Sequence, residues 1–96
     1  MPNVTVQLHG PFREFAGGTK RLDVDAASVG EALEALVTEI PALAERLRDE
    51  RGELREHVNV FANSDEMRWL EGERTPLREG DLIHVMPALS GGKDQR

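Results

Sequence analysis

Ser90, Gly91 and Gly92 are the residues of this chain whose types and spacing point most directly to chemistry. They come just after the strand-like run 82–86, Pro87 and two further residues. Neither glycine carries a Cβ, so the backbone can extend through a slot too narrow for other residues. A tail of this kind suits threading into another protein, with Ser90, Gly91 and Gly92 recognised and the Gly92 carboxyl group reacting. Lys93, Asp94, Gln95 and Arg96 follow. They hold that carboxyl group in a peptide bond until residues 93–96 are removed.

The other reactive side chains form no constellation. The 96 residues include no cysteine, which excludes disulfides, thiolate catalysis and cysteine-ligated clusters and agrees with a reducing compartment. His9, His57 and His84 lie in separate segments without metal-ligand spacing, so they read as ordinary surface or strand positions and no metal site is predicted. Carboxylates are so abundant, 18 in all, that their pairs predict no acid–base couple. A formal charge of −6 argues against binding nucleic acid or an anionic membrane, which needs a concentrated basic surface. The amino terminus has no basic and apolar leader, and no apolar run nears the ~18 residues of a membrane span. The expectation is a soluble, cytoplasmic protein. No catalytic residues are predicted.

The segments that must position the tail differ in period. Val4, Val6 and Leu8 alternate with polar neighbours, as in a half-buried strand. Gly10-Pro11 ends it, and Phe12 with Phe15 is expected to pack a tight connection on the core. After Gly17-Gly18, Leu22 and Val24 alternate with Arg21, Asp23 and Asp25, completing a hairpin over residues 4–25. Ser28 and Glu31 form a capping box. Val29, Leu33, Leu36, Val37 and Ile40 then recur as one helical stripe. Pro41 opens a second short helix with Leu43 and Leu47 inward. The charged run 45–56 reads as solvated face and loop.

Val58, Val60 and Ala62 mark a third strand, residues 67–70 a short edge strand, and Leu82, Ile83 and Val85 the last one, closed by Pro87. The lone Trp69 is expected to cover a core edge. Phe61, His84 and Met86 alternate against Val60 and Val85, which puts them on the opposite sheet face. Exposed apolar residues there mark a partner surface; cover by the tail or a loop explains them equally well.

Two strands, a helix and further strands make an α+β domain over residues 1–89, a mixed sheet with a helix packed on one face. Residues 90–96 form a flexible carboxy-terminal tail containing the glycine pair. The first and last strands can lie parallel at the sheet centre because the helix supplies the crossover. That arrangement is the ubiquitin-like β-grasp.

Val58-Asn59-Val60-Phe61-Ala62-Asn63, Thr75-Pro76-Leu77-Arg78-Glu79-Gly80-Asp81 and Met86-Pro87-Ala88-Leu89-Ser90-Gly91-Gly92 together resemble the MoaD/ThiS family of ubiquitin-like sulfur carrier proteins. Within it the chain looks closest to the CysO-like branch. The resemblance implies that a separate adenylyltransferase, related to ubiquitin-activating enzymes, uses ATP and Mg²⁺ to adenylate Gly92. Sulfur then replaces AMP to give a thiocarboxylate, which a biosynthetic enzyme accepts for cysteine, molybdopterin, thiamine or a secondary metabolite. This chain itself binds no cofactor. Mature carriers of the family end at the second glycine, so residues 93–96 imply trimming by a JAMM-type metalloprotease; a relative without carrier function is the other reading of them. Two further functions stay open: a protein modifier conjugated through Gly92, and a non-reactive β-grasp binding module.

Overall fold

The computed structural model describes residues 1–88. The expectations for Ser90, Gly91, Gly92 and the tail 90–96 lie outside them. β1 (Asn3–Leu8) runs antiparallel to β2 (Arg21–Asp25), with Val6 opposite Leu22 and Gln7 opposite Arg21. After helix α2 (Val29–Glu39), the chain passes through a 3-10 turn at Pro41–Leu43 and the short helix α3 (Ala44–Leu47). β3 (Val58–Ala62), the two-residue β4 (Asp65–Glu66) and β5 (Leu82–Pro87) complete the sheet. Its order is β2-β1-β5-β3-β4. β5 lies parallel to β1 and antiparallel to β3, so the first and last strands share the centre, as in the β-grasp.

Strand alternation decides which face is covered. Val4, Val6 and Leu8 of β1, Val58 and Val60 of β3, and Ile83 and Val85 of β5 are buried against Val29, Ala32, Leu33 and Leu36 of α2. Each such side chain fully removed from water contributes roughly 1.5–3 kcal/mol. The Ser28 Oγ accepts from the Glu31 amide at 3.2 Å, satisfying one free donor of the first turn. The returning Glu31 carboxylate accepts from the Ala27 amide at 2.9 Å, one residue earlier than the simplest capping box places it. Val37 and Ile40 sit at the partly exposed end of the stripe.

Three local expectations are corrected. The β1–β2 connection holds a helix, α1 (Pro11–Phe15), in which Phe12 is buried but Phe15 is half-exposed. Ala16, one helical turn after Phe12, takes the second core-facing place, and the Arg46 guanidinium stacks over the Phe15 ring at 4.0 Å. The edge strand is Asp65–Glu66, while Met67–Trp69 is a 3-10 turn capped by the Glu66 carboxylate. That tighter turn points Met67 inward and leaves Trp69 83% exposed, so Trp69 covers no core edge. The charged run 45–56 is largely exposed, as expected of a solvated face and loop, and side-chain hydrogen bonds hold it in place. Arg48 makes two hydrogen bonds to the Glu73 carboxylate, at 2.7 and 2.9 Å, and the Asp49 carboxylate accepts from the Arg51 and Glu53 amides.

Candidate functional site: the tail root and the open sheet face

β5 carries the chain toward Gly92, and its end is held on both sides. The His9 amide donates to the Val85 carbonyl at 3.0 Å, and the Ala88 amide donates to the His57 carbonyl at 2.8 Å. Gly10, at φ 59°, is in a conformation that side chains rarely adopt. A Cβ there would lie 3.4 Å from the Pro87 ring, so the turn into α1 runs close beside the tail root. The last described residue therefore leaves a position fixed by two neighbouring strands and one tight turn.

The face away from α2 has no element packed over it among the described residues. Across it, Arg21 of β2 stands opposite Gln7 of β1, Gln7 opposite His84 of β5, His84 opposite Phe61 of β3, and Phe61 opposite Glu66 of β4. Met86 lies two residues beyond His84, opposite Asn59. Phe61, His84 and Met86 are thus neighbours on one face, each half-buried, with Val60 and Val85 pointing to the core. Asp23 and Asp25, opposite Thr5 and Asn3, occupy the other end of that face. The Thr5 hydroxyl donates to the Asp23 carboxylate at 2.8 Å.

Parallel pairing also joins two histidines that the sequence keeps 75 positions apart. His9 Nε2 and His84 Nδ1 are 3.0 Å apart, and the ring centroids lie 5.2 Å apart. One nitrogen donates and the other accepts, so the contact needs at least one neutral nitrogen. Burial holds the His9 pKa below its ordinary value, and the nearby charges of His84 and Arg13 lower it further. His9, Arg13 and Gln7 were absent from the site read in sequence, because nothing in their spacing marks them. Continuing the β1 alternation one step past Leu8, onto the same face as Gln7, would have exposed His9.

Other features of the surface hold no comparable set. A groove of about 630 Å³ runs beside α2 and α3, lined by Glu34, Val37, Ala44, Arg48 and Arg55 among others. Its arginines are engaged, Arg48 with Glu73 and Arg55 with the Glu45 carbonyl. Among the described residues, no three His, Asp or Glu side chains are placed to hold a metal ion, and no helix is long and apolar enough to cross a membrane.

The model of the ThiS family matches residues 6–92, from β1 through the glycine pair. The chain belongs to the ThiS family. It is 42% identical over 90 residues to small archaeal modifier protein 3 of Haloferax volcanii, covering 91% of this chain and 96% of that one. It is 30% identical over 92 residues to the sulfur carrier protein CysO of Mycobacterium tuberculosis, covering 94% and 99%. The crystal structure of SAMP1 from Haloferax volcanii superimposes with a TM-score of 0.83 at 33% identity, covering 94% of this chain and 99% of that one. The ubiquitin-like β-grasp is thus established by strand order and by structural likeness together. The family is one of sulfur carriers and ubiquitin-like modifiers, proteins that are not themselves enzymes.

Proposed function

We propose that this ThiS-family chain is a sulfur carrier whose Gly92 carboxylate, freed by removal of residues 93–96, is adenylated and then converted to a thiocarboxylate. A carboxylate is a poor electrophile, since its charge repels a nucleophile and neither oxygen is a good leaving group. Attack of the Gly92 carboxylate on the α-phosphate of ATP forms the acyl-adenylate and releases pyrophosphate. A sulfur nucleophile then displaces AMP from the Gly92 carbonyl carbon. The adenylyltransferase partner holds ATP and Mg²⁺ and stabilises the developing charge. A JAMM-type metalloprotease hydrolyses the Gly92–Lys93 bond, and a sulfur-accepting biosynthetic enzyme receives the product. The carrier works in the cytoplasm.

One observation carries this reading: the family match runs through residue 92, and the strand leading there is the pinned central strand β5. A rigid body that delivers an extended end suits a substrate presented to several enzymes in turn. The modifier reading, in which Gly92 is joined to lysines of other proteins, is favoured by the 42% identity to small archaeal modifier protein 3. It begins with the same adenylate.

Mass spectrometry after incubation with an activating enzyme, ATP and a sulfur source tests the proposal. The chain ending at Gly92 gains the mass of one oxygen-to-sulfur exchange, while the chain ending at Arg96 gains nothing. Sulfur on the full-length chain with its last four residues in place would refute the precursor reading. In the same assay, Gly92→Ala in the trimmed chain keeps its fold and loses most pyrophosphate exchange, because a methyl group enters the slot that recognises the tail.

A further inference from the structure

β2 is an outer strand of the sheet, with β1 on one side of it and no strand on the other among the described residues. The Leu8 amide donates to the Lys20 carbonyl at 2.8 Å, and the Ala26 amide donates to the Pro2 carbonyl at 2.9 Å. Hydrogen-bonded pairs alternate along an antiparallel ladder, so Leu22 and Val24 also turn their backbone groups toward β1. Those of Arg21, Asp23 and Asp25 point away from the sheet, and they meet no other loop or strand among the described residues. The side chains of these three are exposed and share the face of Gln7, Thr5 and Asn3, away from α2. Lys20, opposite the buried Leu8, shares the α2 side instead. A groove of about 330 Å³ lies on that side, lined by Val24 of β2 and by Ala35, Thr38 and Glu39 of α2 among others.

An exposed edge is a template for another strand, and charges along it ordinarily keep strands off. Here the charges admit one register. When two copies pair antiparallel through this edge, the outward-facing residues must stand opposite one another to exchange hydrogen bonds. Among registers that overlap β2 with β2, four set like charges face to face: Arg21 on Arg21, Asp23 on Asp23, Asp23 on Asp25, or Asp25 on Asp25. Like charges directly opposite are destabilising. The remaining register is centred on Leu22. It sets Arg21 of each copy against Asp23 of the other, and Asp25 against the uncharged Thr19.

We propose that two copies of this chain join edge to edge through β2, in the register centred on Leu22, and form one continuous sheet. The two-fold axis stands perpendicular to the sheet, so each copy offers the same surface to the other. Leu22 meets Leu22 at the centre. Lys20 of each copy stands opposite Val24 of the other, so its aliphatic stem lies in the groove and its ammonium reaches Glu39. Arg21 meets Asp23 on the opposite face. The contact is short, and the charge of −6 on each copy opposes it, so the dimer is weak and forms at high protein concentration. β1 separates β2 from β5, so the pairing leaves the tail root open. The axis reverses the direction of β5 in the second copy, which sends the two tails out at opposite ends of the joined sheet.

Analytical ultracentrifugation and NMR of the full-length chain, from micromolar to millimolar concentration, test the pairing. Sedimentation moves from monomer toward dimer, and the amides of Lys20, Arg21, Leu22, Asp23 and Asp25 shift with concentration. Arg21→Asp and Asp23→Arg each place like charges opposite one another and weaken association about tenfold or more. The double variant R21D/D23R exchanges the two charges, rebuilds both pairs and recovers the association of the wild type.

Each variant is checked for a native spectrum. If Asp23→Arg disturbs folding through its lost bond to the Thr5 hydroxyl, Lys20→Glu, Glu39→Lys and the double variant K20E/E39K supply the same exchange on the other face. A chain that stays monomeric at millimolar concentration overturns the proposal. So does association that ignores the single variants, or a double variant as weak as either single one. Concentration-dependent shifts confined to β3, β4 and β5 place the contact elsewhere and overturn it equally.

Discussion

Gly30→Ala should destabilise this domain although it replaces glycine by the best helix former. Gly30 is in the first turn of α2, where alanine gains at most about 1 kcal/mol from propensity. A Cβ built there lies 3.1 Å from the Glu73 carbonyl oxygen, 3.1 Å from Glu73 Oε1 and 3.2 Å from Glu73 Cβ. All three distances are short, so Glu73 has to retreat by a few tenths of an ångström. It cannot do so freely. Its carboxylate is tied to Arg48 at 2.7 and 2.9 Å. Its turn, Gly72–Arg74, is closed by the buried Thr75, whose hydroxyl donates to the Gly72 carbonyl at 2.7 Å and accepts from the Glu71 amide. Overpacking a held site costs about 1–3 kcal/mol. Set against the propensity gain, the net loss is about 1 kcal/mol, or a Tm lower by roughly 4–8 °C for a domain of this size. Urea denaturation followed by circular dichroism measures it. In a Glu73→Ala background the side-chain oxygen and the Arg48 tether are gone while the carbonyl and Cβ contacts remain, so only part of the penalty should disappear. A Gly30→Ala protein more stable than wild type would show that the turn yields easily and that the contact is not a restraint.

Truncating the open face should separate stability from recognition. Phe61→Ala and Met86→Ala, both half-buried, each cost less than the ~3–5 kcal/mol expected for the fully buried Phe12→Ala, while weakening the activating partner's KM more than Phe12→Ala does at equal folded fraction. Denaturation midpoints equal to that of Phe12→Ala would refute the outward placement. The His9–His84 contact should make folding sensitive to mild acid. Because the folded His9 pKa lies below its unfolded value near 6.5, the unfolded chain takes up the proton first. Stability is full above about pH 6.5 and falls as pH drops toward the folded value, below which that loss is complete. Urea midpoints between pH 5 and 7.5 should fall less steeply in His9→Gln, and identical slopes would refute the coupling.

Much of the architecture was legible because local rules and global fold agree. The alternation of Val4, Val6 and Leu8, the Ser28–Glu31 cap, the stripe Val29, Leu33 and Leu36, and the break at Pro87 each follow from sequence-local geometry. Alternation also placed Phe61, His84 and Met86 on one face, since period two ties them to Val60 and Val85. Where two local geometries competed, the reading failed. Met67, Arg68 and Trp69 suit a strand or a 3-10 turn, and only the buried slot filled by Met67 selects the turn and leaves Trp69 in water. Phe12 and Phe15 look alike in the chain, but helix α1 has room for Phe12 and Ala16 inside and leaves Phe15 to Arg46. The pairing of His9 with His84 left no local trace. It arises from the parallel register of β1 on β5, a contact between residues 75 positions apart that no periodicity within either segment encodes.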